Sequence, residues 1–292
     1  MGISRRKTAY IKAFAAIFSI IPMAFINRRF FMIDFHTHAF TESIAERAIE
    51  SLESNSPCRP KTRGTAAQLL AAMDKCGIER SVLLTIATKP HQQTAINNWA
   101  AEVKSDRLLP FGSVHPDAPD AADELERIRS LGLYGVKLHP DYQHFYADEE
   151  RMIPIYKKCA ELKLPVLFHC GMDVISPHDV HCTPKAVLTV HRRVPELTMI
   201  LAHLGGNYMW EEAEKYLAGE DVYLDTAFVS GRIPDSAASR IIKKHGADRI
   251  LFASDMPWQL PSETLLMLSR LGLDHEEIEM ITHKNAEKIL FD

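Results

Sequence analysis

From Phe31 onward the chain alternates short, β-branched apolar runs with longer segments in which apolar side chains recur every three or four residues. This predicts parallel strands joined by crossover helices, because a strand covered on both faces reads as a continuous hydrophobic run and its covering helix as a single apolar stripe. Eight runs are expected as strands: Phe31–His38, Arg80–Ala87, Leu108–His115, Tyr134–His139, Pro165–Cys170, Leu197–His203, Val222–Phe228 and Arg249–Asp255. Between them, Leu69, Leu70 and Met73 within Thr65–Cys76, and Leu125, Ile128 and Leu131 within Ala121–Leu131, form helical stripes. Gly77, Gly132 and Gly246 stand where helices are expected to stop. Eight such units predict a single α/β domain over 31–292, closed as a (β/α)8 TIM barrel, and the 292 residues suit a fold that typically takes about 250. The loop Met172–Thr183 after the fifth strand, which carries His, Asp and Pro, is placed to cover a site.

Residues 1–30 read differently. Arg5, Arg6 and Lys7 precede an uncharged run from Ala13 to Ile26. That order resembles a signal peptide without a clear cleavage site, and the run falls short of the roughly 20 apolar residues a membrane span needs. Two expectations follow: a signal-like anchor, or an upstream extension of the reading frame, with Met32 standing directly before Ile33-Asp34-Phe35.

With 46% hydrophobic and 25% charged residues, the chain can bury a large core. A formal net charge of −4 offers no cationic surplus for a phosphate backbone, so small-molecule chemistry is favoured over nucleic-acid binding. Five cysteines without a C-x-x-C pair indicate neither a disulfide framework nor a cysteine zinc site, and the cytoplasm is the expected compartment. A homo-oligomer is compatible with all of this, and stable membrane insertion is expected only if residues 1–30 anchor the chain.

The polar residues at the carboxyl ends of the runs carry the chemistry, since barrel active sites are assembled on that rim. They are His36 and His38, His115, Lys137 and His139, His169, His203, Asp225 and Asp255. Residues two apart on a strand share a face, so His36 and His38 are expected to point into the barrel together, with Phe35 and Thr37 pointing outward. His169, His203 and Asp255 each end an apolar run, and buried titratable groups need partners. One divalent cation partners them all. Neutral imidazoles with a carboxylate suit Zn²⁺ first, with Mn²⁺ or Fe²⁺ as alternatives, and such a centre brings bound water toward a neutral pKa. His36, His38, His169 and Asp255 are the expected ligands; His203 and Asp255 are the expected acid–base groups, and Gly205-Gly206 permits close substrate approach.

Met-Ile-Asp-Phe-His36-Thr-His38, Gly-Val-Lys137-Leu-His139-Pro, Leu-Phe-His169-Cys-Gly, Ala-His203-Leu-Gly-Gly and Phe-Ala-Ser-Asp255-Met-Pro-Trp, in this order, resemble the amidohydrolase superfamily. More narrowly they resemble its amidohydrolase-related branch, which includes aminocarboxymuconate semialdehyde decarboxylase. The resemblance covers about residues 32–291. It implies that the positions matching His36, His38, His169 and Asp255 bind metal and that the one matching His203 activates water. Binuclear relatives carbamylate a strand-four lysine to bridge two metals, and Lys137 falls on that strand; the reading preferred here is an ammonium that binds substrate carboxylate or pairs with Asp141 or another acid. His139, His115, Asp173, His178 and His181 are expected to line the pocket and bias it toward an anionic or polyhydroxylated substrate, with Trp258 as a wall. Asp34 is expected one layer below His36 on the same face, as a hydrogen-bond acceptor.

A hydrolase acting on a small carbonyl- or carboxylate-bearing substrate is the first functional expectation, and a non-oxidative decarboxylase with the same mononuclear centre is its alternative. A non-catalytic metal-binding barrel is a reading of another class. A metal-dependent DNase is disfavoured, because there is no basic stripe and strand four carries lysine rather than glutamate.

Overall fold

A computed structural model describes residues 31–292, so the two expectations for residues 1–30 lie outside the described residues. Eight parallel strands alternate with helices in chain order: β1 (Ile33–Thr37), β2 (Arg80–Leu84), β3 (Leu108–Phe111), β4 (Val136–Leu138), β5 (Val166–Phe168), β6 (Met199–Leu201), β7 (Tyr223–Asp225) and β8 (Ile250–Leu251). Hydrogen-bonded neighbours run β1-β2-β3 and β4-β5-β6-β7-β8. Parallel bridges from Gly112 to Val136 and from Thr37 to Met256 join the two sheets at both seams and close the barrel. Gly112 is a glycine for a steric reason: a Cβ there would stand 2.8 Å from Asn97 Oδ1 and Ile128 Cδ1.

The strands are shorter than the hydrophobic runs that encode them. His169, His203 and Asp255 all lie beyond the ends of their strands, because there the backbone leaves the ladder to aim polar side chains at the mouth. His203 and Asp255 adopt φ of 63° and 70°, a left-handed region that non-glycine residues enter only where the surroundings enforce it.

Two apolar layers result. Ile33, Phe35, Val82, Leu84, Leu109, Phe111, Leu167, Ile200 and Leu251, all strand residues, fill the barrel interior. Leu83, Val136, Phe168, Met199, Leu201 and Ile250 face the other way and pack with the helices. The helices that matter below are α1 (Ala45–Ser54), α2 (Ala66–Cys76), α3 (Gln93–Val103) and α4 (Ala121–Ser130). α2 begins where the Thr65 side chain accepts a bond from Gln68 N–H and stops at Gly77 with φ 71°, both as the sequence signals require.

The alternation expected for β1 fails in one place. Its register against β2 runs Asp34 to Ser81 and then Thr37 to Leu83, so β1 holds one extra residue, a β-bulge. Phe35 therefore joins the interior layer instead of the helix-facing one, and the bulge brings His36 inward beside it. Asp34 is not on the face of His36, as the uninterrupted period predicts. Its carboxylate still accepts from the His36 N–H (3.3 Å) and from Ser254 N–H (2.9 Å) and Oγ–H (2.5 Å). Burial raises the Asp34 carboxyl to about 7 against the opposing Ser254 bonds.

Candidate metal centre and active site

The mouth of the barrel is organised by three imidazoles whose tautomers are fixed from behind. His38 Nδ1 lies 3.0 Å from the Leu84 carbonyl and His203 Nδ1 lies 2.9 Å from the Ala227 carbonyl. A carbonyl only accepts, so both Nδ1 atoms carry the proton and both Nε2 atoms present a lone pair. His36 Nδ1 is 2.7 Å from Asp225 Oδ2, which fixes the same tautomer when the carboxylate accepts. The other oxygen of Asp225 accepts from the His203 and Ala227 N–H groups at 2.8 and 3.0 Å.

The consequence is a convergence of acceptors. His36 Nε2 and His38 Nε2 lie 3.2 Å apart, and Asp255 Oδ1 is 3.4 and 3.3 Å from them. With both Nδ1 protons committed elsewhere, no hydrogen is left to bridge the three atoms, and burial drives His36 well toward its neutral form. Three lone-pair-bearing atoms at this spacing repel one another unless a cation stands among them. The donor set therefore fits a divalent metal.

His169 extends the cluster by one step. Its Nδ1 is 3.1 Å from His203 Nε2; since that Nε2 accepts, His169 donates, and its own Nε2 is a buried nitrogen without a hydrogen-bond partner. Its ring also stacks on His139, with centroids 4.1 Å apart. Nitrogen and carboxylate atoms of His139, His169 and Asp173 lie within 4.8 Å of one another, as do those of His36, His38 and Asp255. The four expected ligands thus fall as three together and His169 in the neighbouring group. The His139 and His169 rings are nearly parallel, so their in-plane lone pairs do not converge on one ion; the first group is the metal-fitting one, and the His169 Nε2 is left unpartnered in the group beside it.

A cavity of ≈ 480 Å³ opens over this cluster. His36, His38, Lys137, His139, His169, Asp173, His203, Asp255 and Trp258 all line it. His178 and His181 do not. Tyr146 Oη donates to Asp179 at 2.8 Å and His181 pairs with the same carboxylate at 3.0 Å, which turns that part of the loop outward and leaves His178 exposed. His115 is also off the cavity, its Nδ1 accepting from the Asp117 N–H at 3.1 Å. Lys137 is 1% exposed, and its Nζ has no acceptor among the described residues. The expected pairing with Asp141 is absent: Asp141 Oδ1 lies instead 3.4 Å from both Ser176 Oγ and the His181 N–H. Burial lowers Lys137 to about 8, opposed by Asp225 and Asp255.

Sequence reasoning missed part of the lining. Tyr142 stacks on His139 at 3.8 Å, and Trp99, Phe228 and Asn207 also face the cavity. Asp225, noted at the rim but given no role, is the residue that orients His36; its place at the end of an apolar strand was the available signal.

A family model described as amidohydrolase matches residues 33–291. The chain belongs to the amidohydrolase family. Solved structures share this barrel fold at low identity. 5-Carboxyvanillate decarboxylase LigW from Sphingomonas paucimobilis aligns over 89% of this chain and 99% of its own, with 16% identity and a TM-score of 0.70. 2,6-Dihydroxybenzoate decarboxylase from Rhizobium aligns over 89% and 98%, with 18% identity and a TM-score of 0.64. Dihydroxybenzoic acid decarboxylase from Polaromonas sp. JS666, with bound manganese and the inhibitor 2-nitroresorcinol, aligns over 89% and 96%, with 18% identity and a TM-score of 0.67. No described helix of this barrel is long and apolar enough to cross a membrane.

Proposed function

We propose that this amidohydrolase-family barrel is a metal-dependent, non-oxidative carboxy-lyase for a small carboxylic acid. In this reading His36, His38 and Asp255 hold one divalent cation, the unpartnered His169 Nε2 is the fourth donor, and manganese, already an alternative to zinc in the sequence reading, moves ahead of iron(II) because a similar solved structure holds it. The reading reverses the order of the two enzyme classes given by sequence alone.

The observation that carries it is Lys137. A buried ammonium with no protein acceptor, facing the same cavity as the donor cluster, is costly unless an anion meets it there. A substrate carboxylate is that anion. Hydrolysis of a neutral amide, ester or lactone has no need of it. The solved decarboxylases that share the architecture support the same class.

The residues then have distinct tasks. Lys137 binds and orients the carboxylate as a point charge. Trp258, Phe228 and Tyr142 keep water from the reacting carbon. The bond from that carbon to the carboxylate breaks, its electron pair stays on the carbon, CO₂ leaves, and the carbon takes a proton. His203 and Asp255, which line the same cavity, are assigned to hold that proton before transfer. A bound divalent cation supplies Lewis acidity toward negative charge that builds on a substrate oxygen.

The test is product analysis on manganese-loaded protein with a panel of carboxylated aromatic acids. One CO₂ per product with no solvent oxygen incorporated is the expected result; a product that has gained water without CO₂ returns the hydrolase. His203→Gln should lower kcat about 10²–10⁴-fold while metal content stays at the wild-type level. Loss of metal in that variant would make His203 a ligand instead.

A further inference from the structure

Two helices beside the cavity each present apolar side chains to it, of which Trp99 also packs against the core. On α1, Ala45 and Ile49 are buried in the core, whereas Ile44 at its start, Ala48 and Leu52 line the cavity. Those three are four apart and so share one face of the helix. On α3, Gln93, Asn97 and Ala100 are buried, while Ala95, Ile96 and Trp99 line the same cavity. Ile44 stays 39% exposed at the outer edge.

The cavity is therefore polarised along its length. Its carboxylate and ammonium groups, Lys137, Asp173 and Asp255, come from strand 4, the loop after strand 5 and the end of strand 8. Neither helix adds a charged side chain to the lining. Its ≈ 480 Å³ lies in the range that encloses drug-sized ligands, more than one carboxylated ring requires. The polyhydroxylated substrate expected from the loop residues fits poorly, because hydroxyl groups against Ala48, Leu52, Ile96 and Trp99 would be buried without partners.

The geometry points to a substrate that is a carboxylic acid with an extended apolar tail, its carboxylate at Lys137 and its tail lying between α1 and α3. This rests on the assignment of Lys137 to a carboxylate, and it adds the direction and character of the rest of the molecule.

The test is calorimetric binding to the manganese-loaded full chain, which reads affinity whether or not turnover occurs. Probes are benzoate and the straight-chain carboxylates from butanoate to dodecanoate, with the matching primary alcohols as neutral controls. Affinity should rise about 2–4-fold per methylene, as burial of each predicts, until the groove is full, and the alcohols should bind at least 10-fold more weakly. Ala48→Trp should flatten the dependence on chain length and leave benzoate unchanged. A flat series in the wild type overturns the tail groove, as does an equal effect of Ala48→Trp on benzoate. Leu52→Arg gives a second check: if it changes the sedimentation mass but not the chain-length dependence, the stripes are an interface between copies and the proposal fails. CO₂ release, measured separately on any acid that binds, decides the carboxy-lyase reading by itself.

Discussion

Asp225 shows how much a residue behind the site can govern. It does not itself line the cavity, yet its two oxygens hold the His36 ring and the His203 backbone, both part of that lining, at once. In Asp225→Asn the amide can donate to His36 Nδ1, which moves the ring proton to Nε2, the atom needed as a donor to metal. Manganese affinity should fall about 10–100-fold by equilibrium dialysis, with secondary structure unchanged. Lys137 makes the opposite trade. Lys137→Met removes a buried ammonium without a partner and should raise stability to denaturant by about 1–4 kcal/mol. The same change should lower kcat/KM about 10²-fold, in keeping with the ~2–5 kcal/mol that losing one member of a buried charge pair costs. A Lys137→Met protein that is less stable than wild type would mean that the ammonium is satisfied in the fold.

At the scale of elements, a polar network inside the barrel wall fixes where strand 3 sits against its helices. Asn97 on α3 bonds the Ser113 N–H and C=O at 2.8 and 2.9 Å and donates to Glu124 of α4 at 2.6 Å. Arg127 closes the network on Glu124 at 2.8 and 2.9 Å. Asn97→Ala leaves several of these groups unpaired at once and should cost about 2–4 kcal/mol in urea unfolding. Burial alone pushes the Glu124 carboxyl up, but the bonds from Arg127 and Asn97 hold it below the usual range. Its stabilisation is thus present at neutral pH and lost as pH falls through that lowered value. Glu124→Gln should flatten the acid limb of a stability profile and leave its alkaline limb unchanged. None of this was visible in the sequence, where Asn97 and Glu124 read as ordinary polar positions on amphipathic helices. The bulge in β1 was hidden for the same reason: an extra residue in a ladder is defined by the partner strand, and Ile33–Thr37 alone reads as plain alternation.

For the whole molecule, metal is expected to act as a structural ligand as well as a chemical one. His36, His38 and Asp255 come from the first strand and from beyond the last, so an ion held by them ties the closing seam, where Asp255 N–H also bonds the His36 carbonyl at 2.8 Å. An ion present at 1,000 times its Kd contributes about 4 kcal/mol. Chelation should therefore lower Tm by roughly 10 °C, taking about 2–4 °C per kcal/mol for a domain approaching this size, and manganese should restore it. An unchanged Tm after verified removal of metal would place the ion elsewhere.

The order of strands and helices, the rim of polar residues and the family resemblance were all legible in the linear sequence. Each is carried by local periodicity or by short motifs whose side chains act where the backbone places them. What the tertiary structure decided was which of those residues meet. It drew His36, His38 and Asp255 into one cluster, set His169 against His139 and His203, kept His178 and His181 off the cavity, and left Lys137 without a protein partner among the described residues. Those outcomes depend on register, on a single inserted residue and on hydrogen bonds between elements 189 positions apart in the chain, and such distances are set only when the barrel closes.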